Sequence, residues 1–162
     1  INPLTGGKTD ITGLTVQLPN NKIRNLASCI YWLQRECDSN YMLLHKTGYD
    51  TITYYHKGNG LRYYIINSKT KQLSTVIVGP NINKGHRVQL MIPSDCWFGA
   101  ELLLNDDDNS ESYTLVSEVC CPGFDFNDWS LISWNDILKL KLSHHHQMLL
   151  KPMVSDPKKF KN

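Results

Sequence analysis

Between Leu26 and Cys121 the chain is cut into short apolar and aromatic runs that recur roughly every 10 to 15 residues. The runs cover residues 27–34, 41–46, 50–56, 61–67, 73–78, 88–92, 97–104 and 113–121. Turn chemistry separates them: Lys57-Gly58-Asn59-Gly60, Asn67-Ser68-Lys69, Gly79-Pro80-Asn81, Pro93-Ser94-Asp95 and the acidic stretch after Asn105. Glycine supplies positive φ at such corners, and Asn and Asp tolerate it. No helical period intervenes. A parallel sheet needs crossover helices, and these gaps have no room for them. The pattern therefore predicts an all-β, antiparallel sandwich or barrel.

A chain of 162 residues is the size of one domain. It can bury roughly two-thirds of its unfolded surface and needs neither disulfide nor metal to fold. A formal charge of +2 argues against nucleic acid or a membrane surface as a partner. No apolar run approaches the roughly 18 residues of a spanning helix. The five cysteines form no CxxC spacing, so they make a poor disulfide framework and a poor zinc site. They read as small buried hydrophobes in a reducing, cytoplasmic compartment. The chain begins at Ile1 without Met, which leaves a removed leader open.

Three segments follow. Residues 1–25 form an arm rich in Gly, Asn, Thr and Pro, with one strand at 15–18. Residues 26–132 form the β domain. Residues 133–162 carry a helix and a tail. The helix is predicted over 135–142, where apolar residues recur at three- and four-residue steps, with Ser133 as its cap. The polar, basic tail from Pro152 reads as a fraying end. The acidic residues 106–108 read as a solvated loop tip.

The segment Pro122-Gly123-Phe124-Asp125-Phe126-Asn127-Asp128-Trp129 resembles the closing signature of the DUF985 (cupin 5) family of RmlC-like cupins, its yeast member included. Ala27-Ser28-Cys29-Ile30-Tyr31-Trp32-Leu33, His45-Lys46, Asp50 to Gly58, and Gln89 to Ala100 fall on other stretches of that family in the same order. The resemblance covers residues 26–132. It implies a double-stranded β-helix, that is, a jelly-roll cupin barrel, with a pocket down its axis and assembly as a homodimer. The family's N-terminal helix and a Glu-Gly-Gly-containing strand have only Gly6-Gly7-Lys8-Thr9 as an echo. The Pro-Gly-Phe-Asp-Phe block reads as architecture: its aromatics tuck under the barrel and Asp125 caps the turn.

Metal-binding cupins hold an ion with three imidazoles and a carboxylate, a set suited to iron or manganese. Laid on that pattern, His45 takes the first ligand position. Thr47 stands at the second, Thr51 at the carboxylate, Phe98 near the last, and Tyr54 at an alternative histidine position. One ligand of four remains, so no metal and no other cofactor is expected. His144-His145-His146 are consecutive and point in different directions, which reads as surface sequence. His56 and His86 sit beside turns and read as solvent-facing.

Alternate residues on a barrel strand face the axis. Leu43 and His45 share one face, as do Ile52, Tyr54 and His56, and as do Gln89 and Met91. With His45 inward, the expected pocket is Tyr31, Leu43, His45, Ile52, Tyr54, Tyr63, Gln89, Met91 and Trp97. Apolar walls with a few convergent polar groups suit a small-molecule ligand. The alternative is a metal-independent isomerase or epimerase acting on a sugar or sugar nucleotide, with His45 as base and Tyr54 as acid.

Overall fold

A computed structural model describes residues 9–10, 14–19, 21–105 and 111–155. In chain order the strands are β1 (Thr9–Asp10), β2 (Thr15–Gln17), β3 (Ile23–Asn25), β4 (Ser28–Arg35), β5 (Tyr41–Lys46), β6 (Asp50–Gly58), β7 (Leu61–Asn67), β8 (Leu73–Val78), β9 (Gln89–Ile92), β10 (Cys96–Leu102), β11 (Tyr113–Cys121) and β12 (Ser130–Leu131). Two short helices follow, α1 (Trp134–Lys139) and α2 (His144–Leu150). One five-stranded sheet has the order β1-β4-β11-β6-β9 and the other β12-β5-β10-β7-β8, with β2 and β3 forming a separate hairpin. Pairing between these strands is antiparallel throughout, and the two sheets face each other as a jelly roll.

The eight runs predicted as strands become β4 to β11. The ends of β6 and β7 are fixed by glycine. Gly58 has φ +102°, and a Cβ there would meet the Tyr113 carbonyl at 2.1 Å. The chain can turn against β11 only because that carbon is absent. The 15–18 strand appears as β2. The arm also supplies β1, which pairs with the β4 edge at Cys29 and Ser28, so it belongs to the barrel sheet.

Apolar packing forms two cores. Between the sheets, Leu61, Tyr63, Val78, Ile92, Phe98 and Val116 are buried. On the outer face of the second sheet, Leu44, Tyr64 and Ile66 pack against Ile132, Ile137, Leu150 and Met153. The C-terminal segment is therefore more structured than the sequence suggests. Ser133 caps α1 by accepting from the Asp136 amide, as expected. A second helix, α2, begins at the His triplet and is capped by Ser143, which accepts from the His146 amide. The tail predicted to fray from Pro152 instead buries Met153 completely. Residues 106–108 and 156–162 lie outside the described residues.

A cavity between the two sheets

The barrel is packed solid at the β7-β8-β9 side and hollow at the β4-β5 side. The hollow has a volume of about 730 Å3. Strand β4 contributes Ser28, Ile30 and Trp32, and β11 contributes Glu118 and Cys120. These are register partners, Glu118 opposite Ile30 and Cys120 opposite Ser28. The other wall comes from Leu43, His45 and Phe98 of β5 and β10, and Phe124 and Trp129 close one end.

A bulge sets His45 in this wall. Phe98 pairs with His45 and Ala100 with Met42, so three steps on β5 oppose two on β10. Gly99 lies against the bulge, where a Cβ would come within 2.9 Å of the Met42 carbonyl and 3.1 Å of the Leu44 amide. The imidazole rests 4.2 Å from the Phe98 ring, centroid to centroid. Its Nδ1 lies 2.8 Å from the Leu43 carbonyl, which can only accept, so in the neutral ring Nδ1 carries the proton and Nε2 is the acceptor. Burial lowers the His45 pKa, opposed in part by the Leu43 hydrogen bond, and favours that neutral ring.

Glu118 is the carboxyl of the cavity floor. It is half-buried and lines the hollow. Burial pushes its pKa up to about 7. Tyr63 adjoins it from β7 and is fully buried, and burial, then the Glu118 charge, raises the phenol well above its ordinary value. Glu118 Oε1, Tyr63 Oη and Thr53 Oγ1 are buried side by side, close enough for the Tyr63 hydroxyl to interact with both neighbours yet outside strict hydrogen-bond geometry.

The expected pocket residues are thus divided. Leu43 and His45 line the cavity, and Tyr63 lies in the packed core beside Glu118. Ile52, Tyr54, Gln89 and Met91 do not line it. Thr51 and Thr53 are the buried, inward residues of β6, at 1% and 0% exposure, so Ile52 and Tyr54 turn to the outside of the first sheet. Their register partners Met91 and Gln89 turn out with them. Tyr31, 54% exposed, lies on the same outer face with its ring 5.6 Å from His56. Trp97 faces outward from the second sheet, where Lys46 Nζ lies 5.0 Å from its ring and the C-terminal helices cover it. Sequence reasoning missed Glu118, Trp32 and Phe98. The signal available was the inward parity of Cys120 and Val116 on β11, which carries Glu118 with it.

His56 is exposed and bonds Ser117 Oγ through Nε2 at 2.8 Å, whereas His86 is partly buried and accepts from the Asn81 amide. The closing block behaves as expected at Asp125, which accepts from the Asn127 amide at 2.8 Å. Phe124 reaches the cavity, but Phe126 is 77% exposed rather than tucked away. The block is tied to β3 by Arg24, whose guanidinium bonds Asp128 at 2.7 Å.

The residues here do not fit the metal site that the sequence comparison raised. Around His45 the positions that would complete a ligand set hold Thr47, Thr51 and Phe98. Among the described residues no group of three or more His, Cys, Asp or Glu is gathered closely enough to grip an ion.

Comparison with known proteins agrees with this architecture. The family described as Cupin superfamily (DUF985) matches residues 7–132. An uncharacterized protein of Saccharomyces cerevisiae is 29% identical over 137 residues, which is 85% of this chain. The chain spans 62% of the length of that curated relative. A hypothetical protein from Leishmania major superposes with a TM-score of 0.77 at 22% identity, covering 95% of this chain and 92% of that one. A protein from Shewanella oneidensis gives 0.70 at 26% identity, covering 91% and 85%. A dTDP sugar isomerase from Desulfovibrio desulfuricans gives 0.53 at 11% identity, covering 85% of each chain.

Proposed function

The chain belongs to the DUF985 family of the cupin superfamily, and on that footing we propose that it binds a small organic molecule in the hollow half of its barrel, without a catalytic metal. The observation that carries this reading is the cavity itself. At about 730 Å3 it lies within the range of ligand sites, its walls are mostly apolar, and His45 and Glu118 converge on it. A barrel needed only as a scaffold would close this space, because unfilled volume costs stability. Freshly isolated protein is expected to release a stoichiometric small molecule on denaturation, read by native and denaturing mass spectrometry. Protein that carries nothing, and whose melting temperature no member of a broad metabolite library shifts, would overturn the proposal. Stoichiometric iron, manganese or nickel retained by untagged protein after exhaustive dialysis would overturn the metal-free part.

The isomerase or epimerase reading loses support at Tyr54. A base and an acid must reach the same substrate carbon, and Tyr54 lies on the opposite side of its sheet from His45. Solvent deuterium washed into a sugar carbon, and lost in His45→Ala, would revive it.

We further propose a homodimer formed through the outer face of the first sheet. Tyr31 and Met91 are more than half exposed there, beside half-buried Ile52 and Tyr54, whereas the matching face of the second sheet is already covered by helices. The reducing, cytoplasmic setting rests on the cysteine spacing; Cys96 and Cys120 are buried, as that reading expects, whereas Cys37 and Cys121 are exposed. No helix among the described residues is long and apolar enough to cross a membrane.

A further inference from the structure

The binding reading above leaves the ligand's chemistry open, and the polar groups of the cavity narrow it. Among the described residues lining the cavity are two carboxyls, Asp38 and Glu118, one imidazole, and no Lys or Arg. Asp38 is committed to Arg35, whose Nε and guanidinium nitrogen bond it at 2.8 and 2.9 Å. Glu118 has no such cation. The nearby cations are held elsewhere: Arg24 by Asp128, and Lys46 over Trp97 on the far side of its sheet.

The two ionisable groups that the cavity wall presents without a cation, Glu118 and His45, can both accept. Glu118 lines the cavity without a cation beside it, and an ionised carboxylate only accepts. His45 gives its one neutral-state proton to Leu43, so its other nitrogen also accepts. Tyr63 and Thr53, both fully buried and off the cavity wall, lie beside Glu118, and their hydroxyls can donate as well as accept. A ligand that brings a donor to Glu118 and His45 gains hydrogen bonds that an apolar ligand would forgo. The walls are aromatic, with Trp32, Phe98, Phe124 and Trp129 all on the cavity. Aromatic faces attract cations as well as flat rings.

We infer that the cavity takes a planar aromatic or heteroaromatic cation, with an amidinium- or ammonium-type N–H group set against Glu118 and the ring among Trp32, Phe98 and Trp129. The same geometry disfavours anions. A diphosphate or a carboxylate entering this space would meet an acidic floor and no guanidinium or ammonium to receive it. Burial holds Glu118 protonated up to about neutral pH, so a cation bound beside it drives the proton off. The titratable groups facing Glu118 are Tyr63 from β7, Cys120 on its own strand and His45 across the cavity, and Asp38 lies at the far end.

Calorimetric titration of the full chain with benzamidine, benzamide, benzoate and thymidine diphosphate tests this. At pH 8 benzamidine is expected to bind at least about tenfold more tightly than the other three. Its affinity should rise about tenfold between pH 6 and pH 8, as Glu118 ionises more readily, while that of benzamide stays level. Glu118→Gln should remove both the preference and the pH response. A variant that kept either would overturn the role of Glu118. If Glu118→Gln does not fold, the wild-type pH series decides the same point: a benzamidine affinity that stays as level as that of benzamide overturns the role of Glu118. Tighter binding of benzoate or thymidine diphosphate than of benzamidine would overturn the charge assignment and leave the binding reading standing. Heat from none of the four, with no co-purified molecule, would remove both.

Discussion

At the scale of single residues, the site depends on Gly99 and Glu118. Gly99 leaves room for the β5 bulge, and the bulge brings the Leu43 carbonyl under the His45 ring. Gly99→Ala is expected to cost about 1–3 kcal/mol by overpacking, read as a shift in denaturant midpoint, because the contacts it would make are to backbone. Glu118 makes stability depend on pH. Its folded pKa, about 7, stands above its ordinary 4.5, so the unfolded chain gives up this proton first as pH rises. Stability is thus lost across that window, by about 3 kcal/mol in full. His45 acts in the other direction, because its lowered pKa removes stability as pH falls through its ordinary 6.5. Glu118→Gln isolates the first effect: its melting temperature should gain on that of the wild type from pH 5 to pH 8. A constant difference across that range would contradict the burial of this carboxyl. Parity on β11 puts Glu118 on one face with Val116 and Cys120, but nothing in the sequence shows that this face borders a cavity, and between Ser117 and Val119 it looks like any solvent-facing charge on a half-buried strand.

At the scale of elements, β5, β7, β8 and β11 follow the predicted bounds closely because turn residues bracket them and the period between them is two. Period two shows which residues share a face and is silent on which face is inside. On β6 hydrophobicity pointed the wrong way: the inward pair is Thr51 and Thr53, and the outward pair is Ile52 and Tyr54. β-branched threonines suit the buried side of a strand, and the Thr51 hydroxyl finds Thr47 at 3.3 Å. On β10 two aromatics stand side by side, and parity alone sends Phe98 in and Trp97 out. The helix α2 was hidden because three consecutive histidines read as surface sequence rather than as a first turn. Leu150 and Met153 anchor it to the second sheet, so Leu150→Ala should cost about 2–5 kcal/mol in chemical denaturation. A loss well below that range would mean that this segment is peripheral to the fold.

At the scale of the whole molecule, the two sheets are unlike. One wears its own C-terminal helices, and the other presents Tyr31 and Met91 bare beside half-buried Ile52 and Tyr54. Tyr31→Glu combined with Met91→Glu is expected to yield monomers by light scattering at micromolar concentration, with ligand affinity unchanged because neither residue lines the cavity. Dimers that survive both substitutions would shift the interface to an edge. The barrel is also divided within, tightly filled toward β7 and β9 and vacant toward β4 and β5. The labour of staying folded falls on one flank, and the opposite flank is released from it. A lineage built this way can repaint its vacant walls and acquire a new guest without renegotiating its own survival.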